Sequence, residues 1–446
     1  MCMGWIMTNL MLKQRVCAAI DEQANRIIDL GEDILLHPEL GFKETYTSGK
    51  MRKMLEKQGV VDITACGVTG LKSWLFKKPG PCVAILGELD AVISPQHPMA
   101  NPATGAAHAC GHNAQLAALL GVAIGISAIK EYLSGGVCLI AAPAEEFIEI
   151  AWRSQLKEKK IIRYLGGKQQ LIYEGIFDDI DMAMMVHSET DAPCDRIVVG
   201  GPAGGFIAKE VHFQGREAHA GGAPWDGINA LNAAALAIMG IHANRETFRE
   251  EDRVRIHPIL TKGGDLVNTV PDDVRMESYV RAATILAMQS ANRKVNRCIE
   301  GAAHMVGASA VIHEIPGYLP LRQDAALSHL FEENARHIAP RLSVEHGLTF
   351  CGSTDMGDLA SLIPVIQPTI TGFSGAAHSK DFRITDKQQA YLIPAKLMAA
   401  TIVDLLMDGA AEANAIATAK MKKSREDYFA LWDSVLASPY DAKMDS

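Results

Sequence analysis

Pro81-Cys-Val-Ala-Ile-Leu-Gly-Glu-Leu-Asp90 is the stretch on which the fold class turns. It is a short apolar run that ends in acids, and it reads as a buried strand. A loop rich in Pro, Ala and Gly follows, to Gly111. Residues 112–132 are then apolar over a length that predicts a buried helix. Residues 137–142 form a second buried strand, stopped by Pro143, and residues 181–187 a third. Upstream, residues 12–33 and 47–58 each carry helical spacing. Strands alternating with helices predict an α/β fold, a sheet with helices on both faces.

The middle of the chain changes character. Residues 206–213 alternate as a strand, 229–248 read as a helix, and 253–261 as a strand. A Gly263-Gly264 turn precedes a strand at 274–282, a helix at 287–306 and a strand at 308–315. That βαββαβ order is the pattern of a ferredoxin-like α+β unit. The expected organisation is a catalytic domain at 1–203 and 317–446, interrupted by an inserted lid or dimerisation domain at 204–316. The chain closes with a helical stretch at 387–407.

Composition narrows the function classes. The chain has 446 residues, 48% hydrophobic and 21% charged, with a formal net charge of −9. Such a chain buries a large core. The acidic balance and the lack of a basic run argue against nucleic-acid binding. No run of about 18 apolar residues is found, so no membrane span is expected. The apolar start, residues 1–12, lacks a charged leader region and is not read as a signal peptide. The 9 cysteines are scattered, with no disulfide framework, which points to a reducing, cytoplasmic setting.

The chemistry-bearing residues gather at the predicted strand ends. They are Gly87-Glu-Leu-Asp90, His108-Ala-Cys-Gly-His112 at a helix start, Pro143-Ala-Glu-Glu146, and Val186-His187. In open α/β sheets, ligands bind outside the carboxyl ends of the strands. Thiolate and imidazole suit zinc, and a carboxylate broadens the choice toward manganese. Singly, Cys110 also reads as a buried small hydrophobe and His187 as a core histidine. Together they read as a metal site.

The full set of motifs resembles a known family. It comprises His108-Ala-Cys-Gly-His112, Pro143-Ala-Glu-Glu146, His187, Gly215-Arg-Glu-Ala-His219, Asn268-Thr-Val-Pro-Asp272, Gly352-Ser-Thr-Asp355 and His378-Ser379, in that order. It is similar to the co-catalytic metallopeptidases and amidohydrolases that include carboxypeptidase G, hippurate hydrolase and auxin-conjugate hydrolases. Within them it looks most like the aminobenzoyl-glutamate utilisation branch. The resemblance covers nearly the whole chain. It implies two divalent metal ions per subunit, Mn or Zn, bridged by Cys110. Glu146 and His378 would complete one, His112 and His187 the other. Asp90 would orient a ligand histidine. Glu145 would be the general base acting on metal-activated water.

The same resemblance assigns His219 to the oxyanion, supplied across a homodimer interface. Asn268, Arg281 and Gly352 would hold a free carboxylate on a small-molecule substrate. The implied reaction is cleavage of the amide bond of an N-acyl or N-aroyl amino acid or a dipeptide. Two alternatives share the scaffold: release of ammonia from a carboxylate-bearing aromatic amine, and a non-catalytic binding protein. The second would be marked by loss of Glu145 or a ligand, and all are present. Two features depart from hippurate-hydrolase-like relatives. Asn113 stands where many carry Asp, which removes a charge near the metals. The segment 147–180, with Leu165-Gly-Gly-Lys168, is long and reads as a packed helix pair or a shaper of the pocket entrance.

Overall fold

The computed structural model describes residues 8–190, 192–350, 352–420 and 422–437. The first seven residues of the apolar start therefore lie outside the described residues. The chain divides into two compact units. One comprises the described residues up to Pro202 together with Arg322–Thr349 and Asp358–Arg425. The other comprises Ala203–Leu321, Phe350–Gly357 and the described residues from Glu426 onward.

The first unit is built on a six-stranded sheet. Its order is Asp62–Cys66, Gly70–Lys77, Gly136–Ala142, Cys82–Glu88, Met182–Met184, Val365–Ile366. The last four strands are parallel and the first two antiparallel. Cys82–Glu88 and Gly136–Ala142 are buried along their whole length. Their unbroken apolar runs are what two-sided burial requires. The helix His112–Ser127 is buried at every residue but its last. It packs on Cys82–Glu88 and against the helices Asn9–Glu22, Ala24–Leu35 and Ile393–Leu406.

Two expectations are corrected. Residues 12–33 are not one helix: the chain breaks at Gln23, whose φ of −107° and ψ of 17° leave the helical region. Each half then buries its own stripe, Leu12, Val16 and Ile20 in one and Ile27, Leu30 and Ile34 in the other. Residues 181–187 are not one strand. Met182–Met184 belongs to the large sheet, whereas His187–Ser188 pairs with Thr369–Ile370 in a separate four-stranded sheet. Among the described residues one stretch, Gln388–Leu406, is long and apolar enough to cross a membrane by length and composition alone. It is mostly buried in the protein core, so its apolarity serves packing.

The second unit has the elements Gly205–Gln214, Ala230–Ala243, Arg255–Lys262, Asp273–Ala282, Ile285–Met305 and Ser309–Tyr318. The four strands form an antiparallel sheet in the order Arg255–Lys262, Asp273–Ala282, Gly205–Gln214, Ser309–Tyr318. This is the ferredoxin-like arrangement predicted from the element order. Asn229 and Thr284 cap the two helices, accepting from the amides of Leu231 and Asn232 and of Ala287. The longer helix turns Ala291, Val295 and Ile299 into this unit's core.

Candidate metal centre

Four separate segments of the first unit converge on one point. His112 opens its helix just after Gly111, which holds φ at +84°. A side chain there would also meet Ser188, since an added Cβ would lie 2.9 Å from the Ser188 Cβ. Glu145 and Glu146 follow Gly136–Ala142 by way of Ala144, at φ +49°. His187 starts its short strand, and His378 sits in a loop at φ +64° with its amide bonded to the Ala109 carbonyl. Two non-glycine residues in left-handed conformation at one site are local strain held by the surrounding structure.

The distances define two overlapping donor groups. Cys110 Sγ lies 3.5 Å from His187 Nε2 and 3.4 Å from His378 Nε2. His378 Nε2 lies 3.2 Å from Glu146 Oε1. The donor atoms of Cys110, His112 and His187 lie within 4.8 Å of one another, as do those of Cys110, Glu146 and His378. Cys110 is common to both. Each of His112 and His187 has its Nδ1 bonded to a main-chain carbonyl, of Asp90 at 2.8 Å and of Ser188 at 3.0 Å. That leaves both Nε2 atoms aimed at the site. The Asp90 side chain lies 3.4 Å from His112 Nδ1 and accepts the Glu146 amide at 2.9 Å, so it braces both residues.

The residues fit a pair of divalent ions on physical grounds. His112 Nε2, Glu146 Oε1 and Asp90 Oδ1 are buried without a well-formed hydrogen bond, although Glu88, His378 and His112 respectively stand 3.0, 3.2 and 3.4 Å away. Orphaned buried donors and acceptors are costly unless another group completes them. The electrostatics favour the thiolate of Cys110 and hold on His378 a proton that a bound cation would displace. Burial and the Glu146 carboxylate push the Cys110 thiol up, but His187 and His112 outweigh them and hold it at about 6. The carboxylate of Glu146 raises His378 to about 11 against the opposing effect of burial. The thiolate form that a metal needs is thus favoured. His108 belongs to neither group; burial and His112 hold it neutral, at about 3.

Several residues not assigned from the sequence are part of this centre. Glu88, fully buried, lies 3.0 Å from His112 Nε2 and pairs with the buried Lys168 at 2.6 Å. Glu88, His112 and Glu145 form a third cluster of candidate donors. Lys168 lies on the helix Gly167–Tyr173, so the long 147–180 segment, a helix pair as read, also contributes to the centre. Glu44 accepts from the Ala144 amide at 2.8 Å and steadies the strained turn before Glu145. The strand-end acids hinted at Glu88. The Leu165-Gly-Gly-Lys168 motif stood out without its partner, and nothing local marked Glu44; the partners lie 80 and 100 residues away. Asn113 donates to the Gly31 carbonyl at 3.1 Å and to the Tyr391 hydroxyl at 3.3 Å. An ionised aspartate could make neither bond.

The remaining candidates all fall in the second unit. His219 Nδ1 accepts the amides of Gly221 and Gly222, at 3.1 and 2.9 Å. Its proton therefore resides on Nε2. Asn268 is close by, its carbonyl accepting the Ala220 amide. Arg281 donates to Ser353 Oγ at 2.8 Å and stacks over Phe206 and Tyr279, 4.8 and 5.3 Å from their ring centroids. Gly352 lies next to Ser353, its carbonyl accepting the Gly204 amide. The sheet register separates these groups. Arg281 pairs with Phe206 at one end and Asp273 with Gln214 at the other. At ~3.3 Å per residue, Arg281 stands about 26 Å from the end where His219 and Asn268 emerge.

Comparisons with known proteins give the family. Residues 84–404 match the model of peptidase family M20/M25/M40. Xaa-Arg dipeptidase of Mus musculus is 27% identical over 89% of each chain. Indole-3-acetyl-aspartic acid hydrolase of Enterobacter agglomerans is 26% identical over 75% of this chain and 76% of its own. The structure of Bacillus subtilis YXEP, described as a dinuclear metal binding peptidase, superposes with a TM-score of 0.65 at 24% identity, over 86% and 98% of the two chains. The chain belongs to peptidase family M20/M25/M40 and is a metal-dependent hydrolase acting on carbon–nitrogen bonds.

Proposed function

We propose that the protein cleaves the amide bond of an N-acyl or N-aroyl amino acid, or of a dipeptide, that carries a free carboxylate. The convergence of Cys110, His112, Glu146, His187 and His378, with a buried Glu145 at the His112 edge, carries this reading. The names of the relatives, a dipeptidase and an indole-3-acetyl-aspartic acid hydrolase, point to the same substrate class.

Cys110 would be shared by both ions, with Glu146 and His378 completing one set of donors and His112 and His187 the other. Two divalent ions held there, Mn or Zn, would supply the positive charge that lowers the pKa of water. Glu145, with Oε2 4.0 Å from His112 Nε2, takes the proton from the attacking water and delivers it to the leaving nitrogen. Asp90 holds His112 and Glu146 in place. Arg281 and Gly352 receive the substrate carboxylate, and Asn268, which lies at the His219 end of the sheet, joins them on it from a second copy of the chain.

His219 donates its Nε2 proton to the tetrahedral oxyanion, from a second copy of the chain. The register supports the dimer: one chain holds Arg281 and His219 at opposite ends of a sheet, too far apart for one small substrate. Arg255–Lys262 is an edge strand with Ile259 and Leu260 exposed, which suits a contact between copies. In this reading the inserted unit is the dimerisation element. The described cysteines Cys17, Cys66, Cys82, Cys110, Cys138, Cys194 and Cys298 are unpaired, which suits a cytoplasmic enzyme.

The test is a product screen by mass spectrometry. The protein, supplied with Mn or Zn, is offered N-acyl amino acids, p-aminobenzoyl-glutamate, dipeptides and aminobenzoates. Paired acid and amine products are expected. Ammonia with a hydroxylated aromatic product would replace this reading with the deaminating one.

A further inference from the structure

Glu88 and Lys168 stand beside the proposed ligands without a role in the account above. Both are fully buried. Glu88 is held on three sides: Oε1 accepts from Lys168 Nζ at 2.6 Å, Oε2 from Gln115 Nε2 at 2.8 Å, and its amide donates to Gln115 Oε1 at 3.1 Å. The carboxylate cannot swing away. Its Oε2 nevertheless faces His112 Nε2 at 3.0 Å. With Nδ1 donating to the Asp90 carbonyl, a neutral His112 presents only a lone pair at Nε2. Two buried lone-pair atoms at that distance repel each other unless a cation joins them. His112 Nε2 makes no well-formed hydrogen bond.

Lys168 reaches this point because of Gly167. A Cβ on Gly167 would fall 1.5 Å from the Pro143 carbonyl oxygen, and the Gly167 amide bonds the Ala144 carbonyl. The helix bearing Lys168 is thereby pressed against the Pro143–Glu146 turn. The charges also balance. Cys110, Glu146, Glu145, Glu88 and Asp90 are anionic in their ionised forms. Two divalent cations and the Lys168 ammonium would neutralise them.

We propose that Glu88, anchored by Lys168, is an additional carboxylate at the His112 metal position and sets the affinity of that position. The inference rests on the two-metal reading, which the same experiment tests separately. The full-length protein is stripped with chelator and titrated with Co2+, following metal equivalents and the thiolate-to-cobalt absorption. The parent should bind two equivalents. Glu88→Gln should keep one equivalent and the thiolate band, because Cys110 also serves the other position. Its second equivalent should bind about 10- to 100-fold more weakly.

Removing one member of a buried ion pair can damage the fold, so Glu88→Gln/Lys168→Met is measured alongside, with the melting temperature of each variant. If Glu88 acts on the metal, the double variant stays weak at the second equivalent. If the double variant regains the parent's affinity, the pair is only structural and the proposal fails. Unchanged affinity in Glu88→Gln also overturns it, since Glu88 then holds no more than a proton on His112. A parent that binds fewer than two equivalents overturns the two-metal reading itself.

Discussion

At the scale of single residues, the adjacent acids Glu145 and Glu146 have separate environments and separate proposed tasks. Glu146 is tied to His378 and, through its amide, to Asp90. Glu145 lies at the His112 edge of the cluster. Glu145→Gln keeps size and removes the base. Its kcat should fall about 10²- to 10⁴-fold with metal content unchanged, as read by steady-state kinetics and elemental analysis. Glu44 offers a test in pH. Burial, and then the Asp90 charge, raise its carboxyl to about 7, against hydrogen bonds from Thr69 and Ala144. From its ordinary value up to about 7, the folded chain keeps a proton that the unfolded chain has released. Its contribution to stability therefore falls as pH rises through that window and is level above it. Glu44→Gln cannot titrate, yet its side chain can still accept from Ala144. The variant's melting temperature should gain on the parent's between about pH 4.5 and about pH 7. An equal difference at both ends would refute the assignment.

At the scale of elements, the Gly167–Tyr173 helix is positioned by backbone contact. Gly167→Ala puts a methyl group into the Pro143 carbonyl, and a backbone atom cannot step aside as a side-chain tip can. The cost should be about 3 kcal/mol, the upper end for overpacking, measured by denaturant unfolding. The strand ends were legible in advance because apolar runs of strand length, ended by Pro or acids, specify buried strands. The break between Met184 and His187 was not. Met182–Met184 and His187–Ser188 are equally compatible with one apolar run. Only their neighbours, Val365–Ile366 and Thr369–Ile370, assign them to different sheets.

At the scale of the whole molecule, the proposed sharing of one site between two copies is open to test. His219→Ala and Arg281→Ala should each be nearly inactive, the latter mainly through a raised KM. If each site takes Arg281 from one copy and His219 from the other, a mixed dimer carries one intact site and one doubly altered site. Co-expression of the two variants should then restore about a quarter of the parent's activity, given random pairing of subunits. A site drawn wholly from one copy predicts no restoration. Introducing Lys at Ile259 and Leu260 should yield monomers by light scattering, with the activity lost.

The order of amino acids was enough to specify the α/β class, the ferredoxin-like unit and the candidate ligands at strand ends. Those features are encoded locally, in apolar periodicity and in residue types a few positions apart. Which distant side chains meet is a property of the folded chain. The Glu88–Lys168 pair, the Glu44 brace on Ala144 and the Asn113 contacts with Gly31 and Tyr391 each join segments far apart in the chain. Their partners are set by strand order and helix packing. The opposite placement of His219 and Arg281 has the same origin, because only the pairing register fixes which residues share an end of a sheet.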